Sequence, residues 1–191
     1  MPHLPSNAAL LVVDVQQGFD DPKWGSRNNP DAEINIANLI AAWREAGRPV
    51  FHVMHDSLSP ESPLRPGTTG NSLKPEAEPR AGEAVYRKTV NSAFIGTSLE
   101  ADLRSAGINT LVVVGLTTNH CVSTTVRMAG NLGFETYLVS DATATFDRAA
   151  LDGRIRPAAE VHAAALSDLQ DEFATLVETS ALLAGTSSDG S

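Results

Sequence analysis

The chain has a single cysteine, Cys121, among its 191 residues. One thiol cannot close an intrachain disulfide, so a disulfide scaffold is excluded and a reducing compartment, the cytoplasm, is the expected location. No apolar run approaches the roughly 20 residues that a membrane-spanning helix needs. Basic residues are few: 14 Lys and Arg stand against 23 Asp and Glu, a formal net charge of −9. That surface repels nucleic-acid phosphates and anionic lipid, so neither nucleic acid nor a membrane is expected as a partner. The opening stretch MPHLPSNAAL has two prolines and no basic segment, unlike a secretory signal. Phosphate-binding loops are missing too. VDVQQG stands after the first apolar run, where a dinucleotide fold would carry G-x-G-x-x-G, and no G-x-x-x-x-G-K-[ST] occurs. No cofactor is expected.

Hydrophobic residues make up 42% of the chain and charged residues 19%, enough for one full core. Short apolar runs alternate with helical patterns. Residues 8–13 (AALLVV) read as a buried strand ending in Asp14. Residues 15–30 form a loop that carries two large side chains, Phe19 and Trp24, which either cover a pocket or pack the loop onto the domain. A helix is expected from about Asn29, with Pro30 in its first turn, an Ile36, Leu39, Ile40, Trp43 stripe and a stop at Gly47. Residues 49–55 (PVFHVMH) are the second strand. Residues 56–80 are a long Pro- and Gly-rich excursion of the kind that is usually functional or mobile.

Residues 82–88 (GEAVYRK) read as a strand whose Tyr86 and Lys88 share one side. A capping box at Thr97 to Glu100 opens a helix that Gly107 ends. The run Leu111 to Val114 then reaches Gly115, a Thr-rich turn, and Cys121 in the first turn of a helix extending to Leu132. Residues 134–139 form the fifth strand, a Pro157 helix runs to about Leu169, and residues 173–177 make a last edge strand. The expected architecture is α/β: a single-domain, doubly wound, six-stranded parallel sheet with helices on both faces. The domain spans residues 1–183, and residues 184–191 (AGTSSDGS) are an expected disordered tail.

Asp14, Lys88 and Cys121 each fall at or just past the C-terminal end of a strand, and in a doubly wound sheet those ends lie side by side. A thiol at a helix N-terminus beside an ammonium is expected to favour its thiolate. Asp14 would move the proton and backbone N–H groups near Thr117 to Cys121 would face an oxyanion. Each of the three also has a plain alternative: a packed thiol, a turn-capping carboxylate, a surface lysine.

Three segments carry a resemblance: LLVVDVQQGF (residues 10–19), K-x-x-x-S-A-F (88–94) and VVVGLTTNHCVSTTVRMAGNLGFETYLVSDATAT (112–145). Together they resemble the isochorismatase-like family of cysteine hydrolases, which includes nicotinamidase and N-carbamoylsarcosine amidohydrolase. The resemblance implies a catalytic Asp14, Lys88, Cys121 triad, a cis Leu116–Thr117 peptide that turns N–H groups toward the oxyanion, and a homodimer or homotetramer. It implies C–N bond hydrolysis of a small amide or N-carbamoyl compound with release of ammonia. Two rivals remain, an isochorismatase-type vinyl ether hydrolase and a non-catalytic binding protein of the same fold. Substrate-pocket candidates are Phe19, Trp24, His55, Asn91, Phe94, Thr117 and His120. Metal-binding nicotinamidases carry Asp-x-His after the second strand; here His55 and Asp56 are adjacent, His52 points to the opposite side, and His162 lies on a distant helix. No metal is expected, nor nicotinamide as substrate.

Overall fold

A computed structural model describes residues 4–186. In chain order its strands are β1 (Ala9–Val13), β2 (Val50–His55), β3 (Ala84–Lys88), β4 (Thr110–Leu116), β5 (Glu135–Ala144), β6 (Arg148–Ala149), β7 (Ile155–Arg156) and β8 (Thr175–Val177). Its α-helices are α1 (Ala32–Glu45), α2 (Leu99–Ser105), α3 (Ser123–Asn131), α4 (Ala158–Ser167) and α5 (Thr179–Thr186). Six strands form one sheet in the order β3-β2-β1-β4-β5-β8, every neighbouring pair parallel. β6 and β7 make a separate antiparallel hairpin.

Continuous apolar runs suit β1 and β4 because helices cover both faces of the sheet. Leu11, Val13, Leu111 and Val113 meet Leu99 and Leu103 of α2 and Val126 and Ala129 of α3. The alternate residues Leu10, Val12, Val112 and Val114 meet Ile36, Leu39, Ile40 and Trp43 of α1 and Leu182 of α5. Each such side chain, fully buried, stabilises the fold by about 1.5–3 kcal/mol. The strand order reverses direction between β1 and β4, and a crevice opens at such a switch point beyond the strands' C-terminal ends. Asp14 follows β1 there, and Thr117 to Cys121 follow β4.

Local differences from expectation have physical causes. α1 starts at Ala32, not near Asn29. Asn29 instead takes a left-handed conformation (φ 43°), and its Nδ2 donates to the carbonyls of Ser140 (2.9 Å) and Thr143 (2.7 Å), anchoring the loop to β5. No capping box forms at α2: Ser98 precedes the helix without a side-chain cap, and the Thr97 hydroxyl donates to the Ala93 carbonyl at 2.6 Å. β5 runs past Val139 to Ala144, because after a register shift its end pairs with Gly115 and Leu116. α5 reaches Thr186, so the helix takes in the first residues of the expected tail; residues 187–191 lie outside the described part. The long excursion of residues 56–80 is bonded inward. Buried Asn71 donates from Nδ2 to the carbonyls of Leu64 (2.8 Å) and His55 (3.1 Å) and to Asp56 (3.1 Å). No helix among the described residues is long and apolar enough to cross a membrane.

Candidate active site

Asp14 leaves β1 with φ at 51°, a left-handed conformation that aspartate tolerates better than most residues. The bend is held on both sides: the Asp14 N–H donates to the Val53 carbonyl at 2.9 Å, and the Asp14 carbonyl accepts from the Gln16 N–H at 2.9 Å. Lys88 is the last residue of β3, two strands away, and its long side chain reaches inward past β2. Its Nζ lies 2.6 Å from Asp14 Oδ2 and 3.3 Å from His55 Nδ1, and the Asp14 and Lys88 side chains are both fully buried. Asp14 Oδ1 is buried with no hydrogen-bond partner among the described residues.

Cys121 arrives from the other side of the crevice. β4 runs parallel beside β1, and at Gly115, paired with Val13, a Cβ would stand 1.9 Å from the Val13 carbonyl oxygen, so only glycine fits. The Leu116–Thr117 peptide that follows is cis. The chain then winds through a π-helical turn, Thr118–Val122, before entering α3. Such turns inside helices are frequent at functional sites. The Thr117 carbonyl accepts from the amides of His120 (3.1 Å) and Val122 (3.2 Å), which closes the turn around Cys121. Behind it, Thr118 Oγ1 meets His162 Nδ1 of α4 at 2.9 Å. Cys121 Sγ, a carboxylate oxygen of Asp14 and a ring nitrogen of His55 lie within 4.8 Å of one another.

The electrostatics correct one expectation. Burial pushes the Cys121 thiol up to about 12, the Asp14 charge pushes the same way, and Lys88 opposes them. Cys121 does lie in the first turn of the helical segment that opens at Thr118, but burial and the Asp14 charge outweigh that position and Lys88 and favour the protonated thiol. Burial also raises the Asp14 carboxyl above its ordinary value, while the Lys88 ammonium pulls it back toward the ionised form. His55 is held below its ordinary value, first by burial and then by Lys88, so its ring is neutral beside the ammonium.

A cavity of about 650 Å³ opens over Cys121. Phe19, Trp24, His55, Asn91, Thr117 and His120 line it, so the loop aromatics both pack the loop and wall the pocket. Phe94 does not: it is buried in the core with Leu99 and Leu103 and stacks on Phe134 with ring centroids 5.8 Å apart. Leu116 is fully buried below the cavity in a cluster with Phe19, Leu64 and Phe146. Phe146, Arg148 and Gln16 are among the contributors that escaped the sequence reading. Phe146 completes an aromatic wall with Phe19 (6.2 Å) and Trp24 (5.9 Å). Arg148 lines the same space from the hairpin. Gln16 is fully buried and grips His55, accepting the His55 N–H at 2.8 Å and donating to its carbonyl at 3.1 Å. Gln16 stood in the VDVQQG stretch beside Asp14, and only the fold reveals its partner.

Asp14, His55 and Cys121 offer three donor atoms at metal-ligand spacing, but the Lys88 ammonium already sits against two of them. The position of a cation is filled by lysine. His52 Nε2 pairs with Glu83 at 3.0 Å on the far side of β2, and His162 is engaged by Thr118, so neither joins the group.

Residues 8–181 match the isochorismatase domain. An uncharacterised isochorismatase-family protein of Bacillus subtilis (strain 168) is 49% identical over 175 residues, covering 92% of this chain and 94% of its own. Nicotinamidase 3 of Arabidopsis thaliana is 32% identical over 184 residues, covering 90% and 84%. A crystal structure of an isochorismatase-family protein from Chromobacterium violaceum superposes with a TM-score of 0.94 at 48% identity, covering 98% of this chain and 97% of that one.

Proposed function

We propose that this chain, which belongs to the isochorismatase family of hydrolases, cleaves the C–N bond of a small amide or N-carbamoyl compound through a thioester on Cys121. The observation that carries the reading is the meeting of Asp14, Lys88 and Cys121 at the switch between β1 and β4, under a cavity walled by aromatics. Its similarity to a nicotinamidase, an amide hydrolase by name, points the same way.

In the proposed cycle the Cys121 sulfur attacks the substrate carbonyl as its proton passes to Asp14, whose Oδ1 is free to accept it. Lys88, 2.6 Å from Asp14 Oδ2, favours the ionised, basic form of Asp14 against the burial that raises its carboxyl. Backbone N–H groups of the turn from Thr117 to Cys121, apart from that of His120, which is given to the Thr117 carbonyl, would meet the oxyanion. Asp14 returns the proton to the departing nitrogen, the C–N bond breaks, ammonia leaves and the acyl group stays on sulfur. Asp14 then takes a proton from water. The resulting hydroxide displaces the acyl group as the acid, and the sulfur recovers its proton.

A panel of small primary amides and ureido compounds, read by ammonia release, tests this. Cys121→Ser should lower kcat/KM by at least about a thousandfold while the circular dichroism spectrum and Tm stay those of the wild type. Full activity in the variant, or pyruvate from isochorismate with no ammonia from any amide, would overturn the proposal.

A further inference from the structure

A threonine at the start of a helical turn ordinarily caps it, its hydroxyl accepting a backbone N–H two or three residues on. The turn that carries Cys121 opens on two threonines, and among the described residues neither caps it. Thr117 precedes the turn without a side-chain cap, and its Oγ1 lies 3.4 Å from His120 Nδ1. Thr118 is fully buried, and its Oγ1 lies 2.9 Å from Nδ1 of His162, a buried residue of α4. No residue of α4 lines the cavity, so His162 meets the turn from behind.

The surroundings of His162 settle which atom donates. Asn29 Nδ2 stands 3.5 Å from His162 Nε2, but its two hydrogens go to the carbonyls of Ser140 (2.9 Å) and Thr143 (2.7 Å), so Nε2 accepts nothing from it. The Ser140 carbonyl, on that same side, accepts from the ring and opposes the burial that holds His162 below its ordinary value. A neutral imidazole that gives its Nε2 hydrogen to a carbonyl keeps a lone pair on Nδ1. Nδ1 is therefore the acceptor, and the Thr118 hydroxyl is the donor.

That bond fixes the hydroxyl against α4 and away from the amides of its own turn. The amide two residues on, His120 N–H, is already given to the Thr117 carbonyl at 3.1 Å. The remaining capping target for Thr118 is the Cys121 N–H, three residues on, which is one of those that would meet the oxyanion. A released hydroxyl would compete for it.

We propose that His162 is a positioning residue: by accepting the Thr118 hydroxyl it holds that hydroxyl off the Cys121 turn and keeps the Cys121 N–H open to the oxyanion. This rests on the reading of Cys121 as the nucleophile of a C–N hydrolase.

The test is a double-mutant cycle. Leucine fills the space of His162 without an acceptor, and asparagine keeps a carbonyl oxygen near the place of Nδ1. With Thr118 present, His162→Leu should lower kcat on a hydrolysed amide about ten- to a hundredfold, somewhat less than outright loss of an oxyanion donor. KM should change less than about threefold, since the donor meets the transition state rather than the substrate, and His162→Asn should recover most of the kcat. In the Thr118→Val background, which has no hydroxyl to release, the same His162→Leu change should cost less than about threefold. Equal losses in the two backgrounds, or no loss of kcat in His162→Leu, overturn the proposal, because a packing role does not depend on that hydroxyl. The same proteins are read by the burst of p-nitrophenolate released as p-nitrophenyl acetate acetylates Cys121. The same pattern in the burst rate, with no ammonia from any amide, upholds the proposal while the C–N reading fails. The ring is also read without any activity, by nitrogen NMR of wild-type protein labelled at histidine, which serves even where His162→Leu does not fold. A proton on Nε2 and a bare Nδ1 support the proposal, and a proton on Nδ1 overturns it.

Discussion

At Cys121 a lysine ammonium and a buried, acidic setting act in opposite directions, and the setting wins: the thiol is pushed up to about 12. The place of Cys121 just past a strand end was readable in the sequence, because an apolar run, a glycine and a Thr-rich turn mark that end, as do the endings of the runs before Asp14 and Lys88. The state of the thiol was not, because it depends on burial and on the distance to Asp14, neither of which is a local property. The expected consequence is an unreactive resting cysteine. Alkylation by iodoacetamide should be slow at neutral pH and should rise about tenfold per pH unit with no plateau through pH 9, with ammonia release nonetheless proceeding at neutral pH. A fast phase titrating at or below the roughly 8.5 of a free thiol would contradict this.

The elements that carry the site are β1 and the segment from β4 into α3, and they meet where Gly115 lets two backbones touch. The sequence placed that glycine at the end of a strand without revealing why it is there; the reason is a carbonyl oxygen of β1, a residue a hundred positions away. Gly115→Ala would force its Cβ to within 1.9 Å of that oxygen. The variant should lose more than about 4 kcal/mol, at the extreme of single substitutions, measured as a fall in the urea midpoint or as loss of soluble protein. A variant of near wild-type stability would show that β4 can shift without cost. α5 went unread for a similar reason: its first turn is capped from a distance by Asp141 Oδ1, which accepts from the Thr179 N–H (2.8 Å) and hydroxyl (2.9 Å).

On the scale of the whole molecule, alternation of apolar runs and helical stripes was enough to give the sheet and its two helical layers. The long loops were opaque, since what holds them is a set of distant charges. Glu33 of α1 is buried and takes Arg27 from one loop and Lys74 from the other, each at 2.8 Å, and Lys74 also pairs with Asp20. Despite its burial, hydrogen bonds from Arg27 and Lys74 hold the Glu33 carboxyl down at about 2 against an ordinary 4.5. A carboxylate depressed by folding stabilises the fold above its unfolded value and loses that contribution as pH falls toward the folded one. Stability should therefore drop between pH 4.5 and 2, by up to about 3 kcal/mol from this group. Glu33→Gln should be less stable than the wild type at pH 6, and the difference should close near pH 2 in urea titrations. A difference independent of pH would assign Glu33 a packing role only.

The central claim is a thioester on Cys121, and the measurement that meets it most directly is partitioning by hydroxylamine during turnover of a hydrolysed amide. Hydroxylamine intercepts an acyl-enzyme and diverts the product from acid to hydroxamate without requiring the intermediate to accumulate. The account predicts hydroxamate in proportion to hydroxylamine, with one ammonia released per product formed. Acid as the sole product at every hydroxylamine concentration would mean that water attacks the substrate directly, and the account would be wrong.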